Sequence, residues 1–519
     1  MFGYAEVHYN PWFVPNFTFM RQPEIICDAP SRVEPGQPVP VFIIMKDADR
    51  YPVILKTVVI HLRYENGMVR VARFPYGNIP IDSPLWWDAI NIMPEYRGLV
   101  RIDPYIQVTI GKRDMTVHLD NYTGISHAPL HVYAASSSYP GPEGWYHGDV
   151  HCHTFFTSDQ VEFGLPLEAL AHAARCMGMH WIAATDHSYD LDDAEDDYLR
   201  NDPALPKWRA LKEQSLMLSE TVTVLPGEEV SCRTRNGRNC HLLALNAGIF
   251  IQGSSDSGER PFSPDSGTLL TDAVADCVGD GGIACAAHPL EKIPFLEKLL
   301  LKRGEWTNED LAIPDITAMQ FYNGLRDTGY RRGKKCWIEL LLAGRRIYAF
   351  GGSDAHGDLN RSRYVSLPFI SLSESNEHVF GTVRTVVRAP SASRSDIVEA
   401  LGGGRAVVTD GPFIDIAVCS GTTVAGPGRT VGGTTCSFRA DFFSSEEYGP
   451  LESGTIIGGF AGEMSERILE RLPLTQAGFS STFSGTCSMK NMRYLRAECE
   501  TVQGKICFTN PIWIEGFFK

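Results

Sequence analysis

The apolar positions fall into three regimes along the chain. From residue 1 to about 144, short runs rich in β-branched residues dominate: VPVFIIM, VILKTVVIHLRY, VRVARF, LVRIDPYIQVTI and MTVHL. Turn signals such as EPGQP, ENG and GKRD bound them, and no helical stripe of comparable length competes. The pattern predicts a small β-sandwich over 1–144. At Trp145 it changes. Up to about residue 411, short apolar strands alternate with helical segments. LPLEALAHAARCMG carries apolar residues at helical spacing and ends in Gly178. HWIAATDH, TVTVLPGEEV, HLLALNA, GGIACAAHP, ITAMQFYNG and RRIYAFGGSDAH read as strands, with helical patterns near 206–219, 268–278, 291–302 and 329–343. Such alternation predicts an α/β unit with a parallel sheet or barrel, whose sites lie at the C-terminal ends of strands. From 412 to 519 the chain is β-rich again, with FIDIAV, CSFRADFF, GTIIGGF and LRAECE, which predicts a second small β domain.

Composition narrows the function classes. The chain has 519 residues, 43% hydrophobic and 21% charged, enough apolar surface for several packed cores. A net charge of −15 argues against a nucleic-acid or anionic-membrane binder. An anionic small substrate stays open, because bound cations can reverse a local field. The start, MFGYAEVHYNPWF, has no basic and no long apolar stretch, so no secretory signal is expected. No stretch approaches the length of a spanning helix. The 13 cysteines are odd in number and form no CxxC pair, which suits reduced thiols in a cytoplasm.

The candidate chemistry lies in the middle segment, where nearly every strand ends in His, Asp or Glu. In GDVHCHT, His151 and His153 share a face because the strand period is two, and Cys152 points away. ATDH supplies His187, LPGEEVSC supplies Glu229, NCHLLAL supplies His241, and CAAHPL supplies His288. FGGSDAHGD repeats the i, i+2 geometry with Asp354 and His356. Imidazole and carboxylate together suit Zn, Mn or Fe, and the number of donors exceeds what one ion needs. Two or three divalent ions are expected, with Glu229 as the natural bridge.

These motifs, HxH, TDH, GxE, AHP and SDAH in that order, resemble the PHP (polymerase and histidinol phosphatase) superfamily of metal-dependent phosphoesterases over about 145–411. GRAVVTDGP and the terminal TNPIWIE look like its carbaryl-hydrolase-like branch. The resemblance implies a distorted (βα)7 barrel flanked by the two β-sandwich-like domains. It implies that His151, His153, Glu229 and Asp354 hold one ion and that Glu229, His241 and His288 hold a second. A third would sit on His187, His356 and Asp159, which stands six residues past His153 where some relatives have a His. In MQFYNG this branch often has Glu where Gln320 stands, so no acid–base role goes to Gln320.

Other residues read more plainly. Asp186 and Glu228 alternate with ligands and should face away. His147 and His172 read as packing, and Phe155 and Phe156 suit a pocket wall or the core equally. Arg361 and Arg363 are candidate substrate contacts, because Arg pairs bidentately with phosphate or carboxylate. Lys292 is a weaker candidate. The run DLDDAEDD at 190–197 lacks the Gly and terminal Glu of a calcium loop and reads as solvated. The expected function is a metal-dependent phosphoesterase. It would act on a small-molecule ester through a metal-bound hydroxide held by Glu229, His151 and His153. A carboxylic or carbamic ester hydrolase needs the same donors. A non-catalytic scaffold is disfavoured by the nearly intact donor set. No GxSxG or P-loop motif occurs. Oligomeric state is not legible.

Overall fold

The computed structural model describes residues 22–515 except 122–126, 158–163, 195–196, 254–264, 294–297, 300–301, 358, 361–363, 368–369, 374–377 and 477. Two sheets form its first part. Val39–Lys46 lies between Glu24–Asp28 and Leu85–Ile92, and Val53–Tyr64 lies between Val69–Ile81 and Gly98–Ile110 in a six-stranded sheet. The Val53–Tyr64 strand shows how pattern becomes packing. Val53 and Leu55 point inward, a bulge between Leu55 and Thr57 shifts the parity by one, and Val58, Ile60 and Leu62 then face the same core.

The middle segment departs from expectation. Among the described residues strands make up 46% and helices 17%, with seven α-helices. The large sheet runs from Tyr348–Gly352 through Ala318–Asn323, Ile283–Ala287, Asn239–Leu245, Thr223–Arg233 and Trp181–Ala184 to Trp145–His153. It then continues through Arg384–Arg388 and Ala406–Thr409 into the C-terminal strands Ile506–Thr509, Met492–Thr501, Leu451–Phe460 and Arg467–Pro473. Trp145–His153 pairs in parallel with Trp181–Ala184, but antiparallel with Arg384–Arg388 on its other edge. Thr223–Arg233 and Asn239–Leu245 form an antiparallel hairpin, and Ile283–Ala287 is antiparallel to the latter. The distorted (βα)7 barrel is therefore not the architecture found. The sheet is mixed, Ala355–His356 beyond its Tyr348–Gly352 end pairs back onto Trp145–His153, and it passes without a break from the middle segment into the C-terminal one.

The local reason is readable in the chain. Only residues 234–238 separate the two hairpin strands. A parallel crossover needs a dozen or more residues, whereas Asn-Gly serves a tight hairpin. Asn236-Gly237 sits in that turn, with Gly237 at φ +75° and its N–H donating to Thr234 O at 3.0 Å. The expected helices elsewhere form at Leu167–Met177, Pro206–Met217, Leu270–Gly279 and Thr328–Leu342. The one expected near 291–302 falls largely outside the described residues.

Residues far downstream complete the middle core. Tyr494, Phe508 and Trp513 join one buried cluster with Leu242, Phe321, Trp337 and Phe350. Phe508 stacks on Phe321 with ring centroids 5.7 Å apart and planes 11° apart. A separate four-stranded sheet, built on Phe413–Ser420 and Thr435–Phe443, covers the other face of the C-terminal strands through a second core that includes Phe413, Phe442 and Leu495. Among the described residues no helix is long and apolar enough to cross a membrane.

This continuity is testable. Trp513 is fully buried, and truncating such a side chain costs about 3–5 kcal/mol. Trp513→Ala should lower the denaturant midpoint of the single transition that also reports the middle sheet. A fragment ending at residue 411 should fail to fold, because Ala406–Thr409 loses its partner Ile506–Thr509. A cooperatively melting fragment would show that the sheet closes without the C-terminal strands.

Candidate metal centre

Strand alternation delivers the first pair. His151 and His153 point to one side of Trp145–His153, while the Cys152 thiol turns away and donates to Ala183 O at 3.1 Å. The last motif reaches them through backbone pairing. Asp354 N donates to His151 O at 2.8 Å, and Ala355 and His356 run parallel to Cys152 and His153. Glu229 N donates to Asp186 O at 3.0 Å, so His187 and Glu229 lie side by side. In the hairpin Glu229 opposes Leu243 and Ser231 opposes His241, which makes Glu229 and His241 diagonal neighbours on one face. His288 follows the end of Ile283–Ala287.

Two of these residues have left-handed backbones: His288 at φ +25° and Asp354 at φ +54°. Such conformations cost energy for non-glycine residues and concentrate at functional sites. All of the donors except His288, which is slightly more open, are at most 5% exposed.

The geometry of the first four donors is specific. His151 Nε2, His153 Nε2, Glu229 Oε2 and Asp354 Oδ1 converge. His151 Nε2 stands 3.3 Å from His153 Nε2, 3.4 Å from Glu229 Oε2 and 3.2 Å from Asp354 Oδ1. His153 Nε2 is 3.3 Å from both carboxylate oxygens. Five of the six donor–donor separations are therefore 3.2–3.4 Å, and donors held about 2.0 Å from one tetrahedral ion stand about 3.3 Å apart, so the spacing suits Zn–N and Zn–O bonds. Glu229 Oε2 and Asp354 Oδ1 are buried and accept no hydrogen bond despite these nitrogens. Unsatisfied buried carboxylate oxygens are expensive, and a cation between the four donors satisfies both. The residues present fit a divalent metal.

The remaining donors are arranged around the same carboxylate. Glu229 Oε2 also faces His187 Nδ1 at 3.2 Å. Its other oxygen, Oε1, faces His241 Nδ1 at 2.6 Å and His288 Nε2 at 3.0 Å. The 2.6 Å contact is a hydrogen-bond distance, shorter than the spacing within the first four, so His241 is drawn onto Glu229. The Arg303 guanidinium donates to His241 Nε2 at 3.0 Å. His153, His187 and His356 form a third group, with the His153 and His356 rings stacked at 4.0 Å. Asp159, Arg361 and Arg363 lie outside the described residues.

The electrostatics follow from burial against neighbours. Burial pushes the Glu229 carboxyl up, but the His241 and His151 imidazoles hold it well below the usual range. Asp354 is likewise raised by burial and held well below by His151, His153 and His356. Burial lowers His153, yet Asp354 and Glu229 carry it to about 10. His356, buried beside His153, is pushed well below its ordinary value. These directions favour ionised Glu229 and Asp354 beside a protonated His153.

Several neighbours have structural tasks. Asp186 accepts from the backbone and hydroxyls of Thr154 and Thr157 at 2.7–3.0 Å, which ties down the turn after His153. Glu228 Oε1 faces away and accepts from Ile251 N at 2.8 Å. His147 stacks on Tyr139, and His172 packs edge-on against Phe42. Lys292 is exposed. The described part of the acidic run, 190–194, is not the solvated segment that its composition suggests. Asp190, Asp192 and Asp193 are buried, with Asn201 donating to Asp192 and Lys207 to Asp193. Sequence reasoning missed Thr157, Glu291, Arg303 and Asn323, and gave Gln320 no task. A pocket of about 70 Å³ lies beside the cluster, lined by His288, Leu290, Glu291, Asn323, Asp327 and His378 among others.

Comparison with known proteins adds no family. No family model matches the chain, and no curated protein matches it. Solved structures with some likeness include a glycosyl hydrolase family 2 member from Bacteroides cellulosilyticus, at 11% identity and a TM-score of 0.16, covering 95% of this chain and 64% of that one. A calcium-binding mutant of Bacteroides uniformis beta-glucuronidase 2 has 9% identity and a TM-score of 0.20, with 94% and 60% covered. Parabacteroides merdae beta-glucuronidase has 7% identity and a TM-score of 0.19, with 95% and 64% covered. The chain spans less than two thirds of these proteins' lengths. At such scores no shared fold or activity is inferred.

The donor geometry makes a paired prediction. Asp354→Asn keeps a residue that tolerates the left-handed backbone but places an amide among the four donors. Elemental analysis should show a loss of about one ion per chain, the share of one four-donor site, with the circular-dichroism spectrum of the folded protein unchanged. Cys152→Ser should keep the wild-type metal content. Equal losses in the two would mean that the strand face is misassigned.

Proposed function

We propose that the chain is a metal-dependent hydrolase of ester bonds, with phosphoesters as the leading substrate class. The observation that carries this reading is the buried four-donor group of His151, His153, Glu229 and Asp354. The ordered motifs HxH, TDH, GxE, AHP and SDAH support it through their resemblance to PHP-superfamily phosphoesterases. Bound divalent ions would supply Lewis acidity and lower the pKa of a coordinated water.

The chain's own residues do the rest. Glu229 presents one oxygen to His151, His153 and His187 and the other to His241 and His288, so it can serve two sites at once. Burial of the cluster excludes bulk water and strengthens every charge interaction within it. His288 and Asn323 touch both the cluster and the pocket, and so mark where the ester would enter.

The pocket lining favours a second reading. It contains Glu291 and Asp327 and no Lys or Arg among the described residues. Such a wall suits a neutral carboxylic or carbamic ester better than a phosphate dianion. One screen separates the two. Protein reconstituted with Zn, Mn or Fe is offered aryl phosphate monoesters and diesters, aryl acetates, aryl carbamates and an aryl glucuronide. Hydrolysis of a phosphoester, abolished by chelator and restored by metal, is the expected result. Turnover of only the carbon esters would select the second reading. Metal-independent turnover, or none on any ester, would overturn both.

A further inference from the structure

We propose that Gln320 and Asn323 form a positioning relay that sets the tautomer of His151 and the orientation of Asp354, so that both present lone pairs to one cation. The inference rests on the metal reading above and adds two residues outside the donor set.

The relay has an obligatory direction. At one end stands the backbone N–H of His288, which can only donate. It lies 3.3 Å from Gln320 Oε1, so that end of the amide is the oxygen. At the other end stands the Asp354 carboxylate, which when ionised can only accept. Asn323 Nδ2 donates to Asp354 Oδ2 at 2.9 Å, so the oxygen of Asn323 faces the other way. It meets Gln320 Nε2 at 2.7 Å, donor to acceptor. With both ends fixed, the two amides between them have only one consistent arrangement.

That arrangement decides the state of His151. Its Nδ1 lies 3.1 Å from Gln320 Oε1. An amide oxygen only accepts, so His151 Nδ1 carries the proton. In the neutral ring Nε2 is then the lone-pair nitrogen, and Nε2 is the atom that faces Asp354 Oδ1 at 3.2 Å inside the four-donor group. The same chain engages Asp354 Oδ2 and leaves Oδ1 for the cation. One hydrogen-bonded path thus prepares two of the four donors from opposite sides.

The residue types matter. Gln320 is fully buried and both its acceptor and its donor are used. A glutamate in its place would accept from His288 N–H and His151 Nδ1–H but would have nothing to donate to Asn323. Asn323 would then turn its amide toward that new carboxylate and its oxygen toward Asp354, acceptor against acceptor. Glutamine at this position is therefore required by the relay, and its inability to act as a base is incidental.

The test uses the full chain loaded with Co²⁺, whose visible bands report ligand number. Wild type, Gln320→Met, Gln320→Glu, Asn323→Leu and the Gln320→Met/Asn323→Leu double variant are titrated, with circular dichroism as a check on folding. Losing an outer hydrogen-bond partner of a metal ligand weakens binding roughly 10–100-fold. Each single variant should weaken the tightest Co²⁺ site by that range. The double variant should be no weaker than the worse single one, because both break the same path. Wild-type affinity in Gln320→Met and Asn323→Leu, or losses that multiply in the double variant, would overturn the relay. Failure of the wild type to bind Co²⁺ would instead overturn the metal reading, and the relay with it. If the variants do not fold, ¹⁵N-histidine-labelled wild type loaded with Zn²⁺ decides. His151 should show a protonated Nδ1 and a metal-bound Nε2, and the reverse tautomer sinks the proposal.

Discussion

A carboxylate with almost no exposure to water is the constraint on which the centre of this protein depends. Glu229 is 1% exposed, in the middle of a long β-strand, where an uncompensated charge would be prohibitive. Five imidazoles face its two oxygens. Among the described residues the compensation comes from these rings and from no Lys or Arg. Imidazole compensates a carboxylate only when protonated, whereas a neutral imidazole is a metal ligand. The same packing therefore has two electrostatic solutions, one with protons and one with cations. Glu229 Oε2 and Asp354 Oδ1 have no hydrogen-bond partner within ordinary geometry, and a cation among these donors would supply what those oxygens lack.

The backbone is bent to make this possible. His288 and Asp354 come from different strands, and each adopts a left-handed conformation just after a strand ends. An extended continuation would carry both side chains away from the cluster. The strain is held by neighbours: Asp354 N bonds to His151 O, and His288 N bonds to Gln320 Oε1. Backbone pairing of Ala355 and His356 with Cys152 and His153 then brings the last motif against the first, although the two are far apart in sequence. The fold contributes to the site through these closures more than through any one strand.

What the chain revealed beforehand divides along the range of the interaction. Periodicity of two placed His151 and His153 on one face and Cys152 on the other, because that alternation is local. It placed Asp186 and Glu228 away from the cluster for the same reason. Strand partners are not local, and there the reading failed. Alternating strands and helices suggested a parallel sheet or barrel, yet the sheet is mixed, with antiparallel strands at Thr223–Arg233, Asn239–Leu245 and Ile283–Ala287. The corrective signal is local: Asn236-Gly237 within the connection 234–238 favours a tight hairpin over a parallel crossover. Composition misled at 190–197, where Asp190, Asp192 and Asp193 are buried, and partners for two of them come from residues 9 and 14 positions downstream. Gln320 and Asn323 were invisible as a pair, since their relation runs through His288 and Asp354, which only the folded chain brings near.

Charge connects the number of ions to the kind of substrate. The four-donor group holds two carboxylates, so one dication leaves it neutral and a second leaves an excess of two positive charges. Glu291, with Oε2 3.2 Å from His288 Nδ1, and Asp327 add negative charge on the pocket side. A chain with a net charge of −15 then offers no attraction to a phosphate dianion through the described side chains of that pocket. Only the ions can supply it, and one is not enough. A neutral ester carries no such requirement, because it needs polarisation rather than charge neutralisation. The two readings of this site therefore differ in the ion count that each demands. His241, drawn onto Glu229 Oε1 at 2.6 Å, would have to give up that contact for a second ion to be held between them.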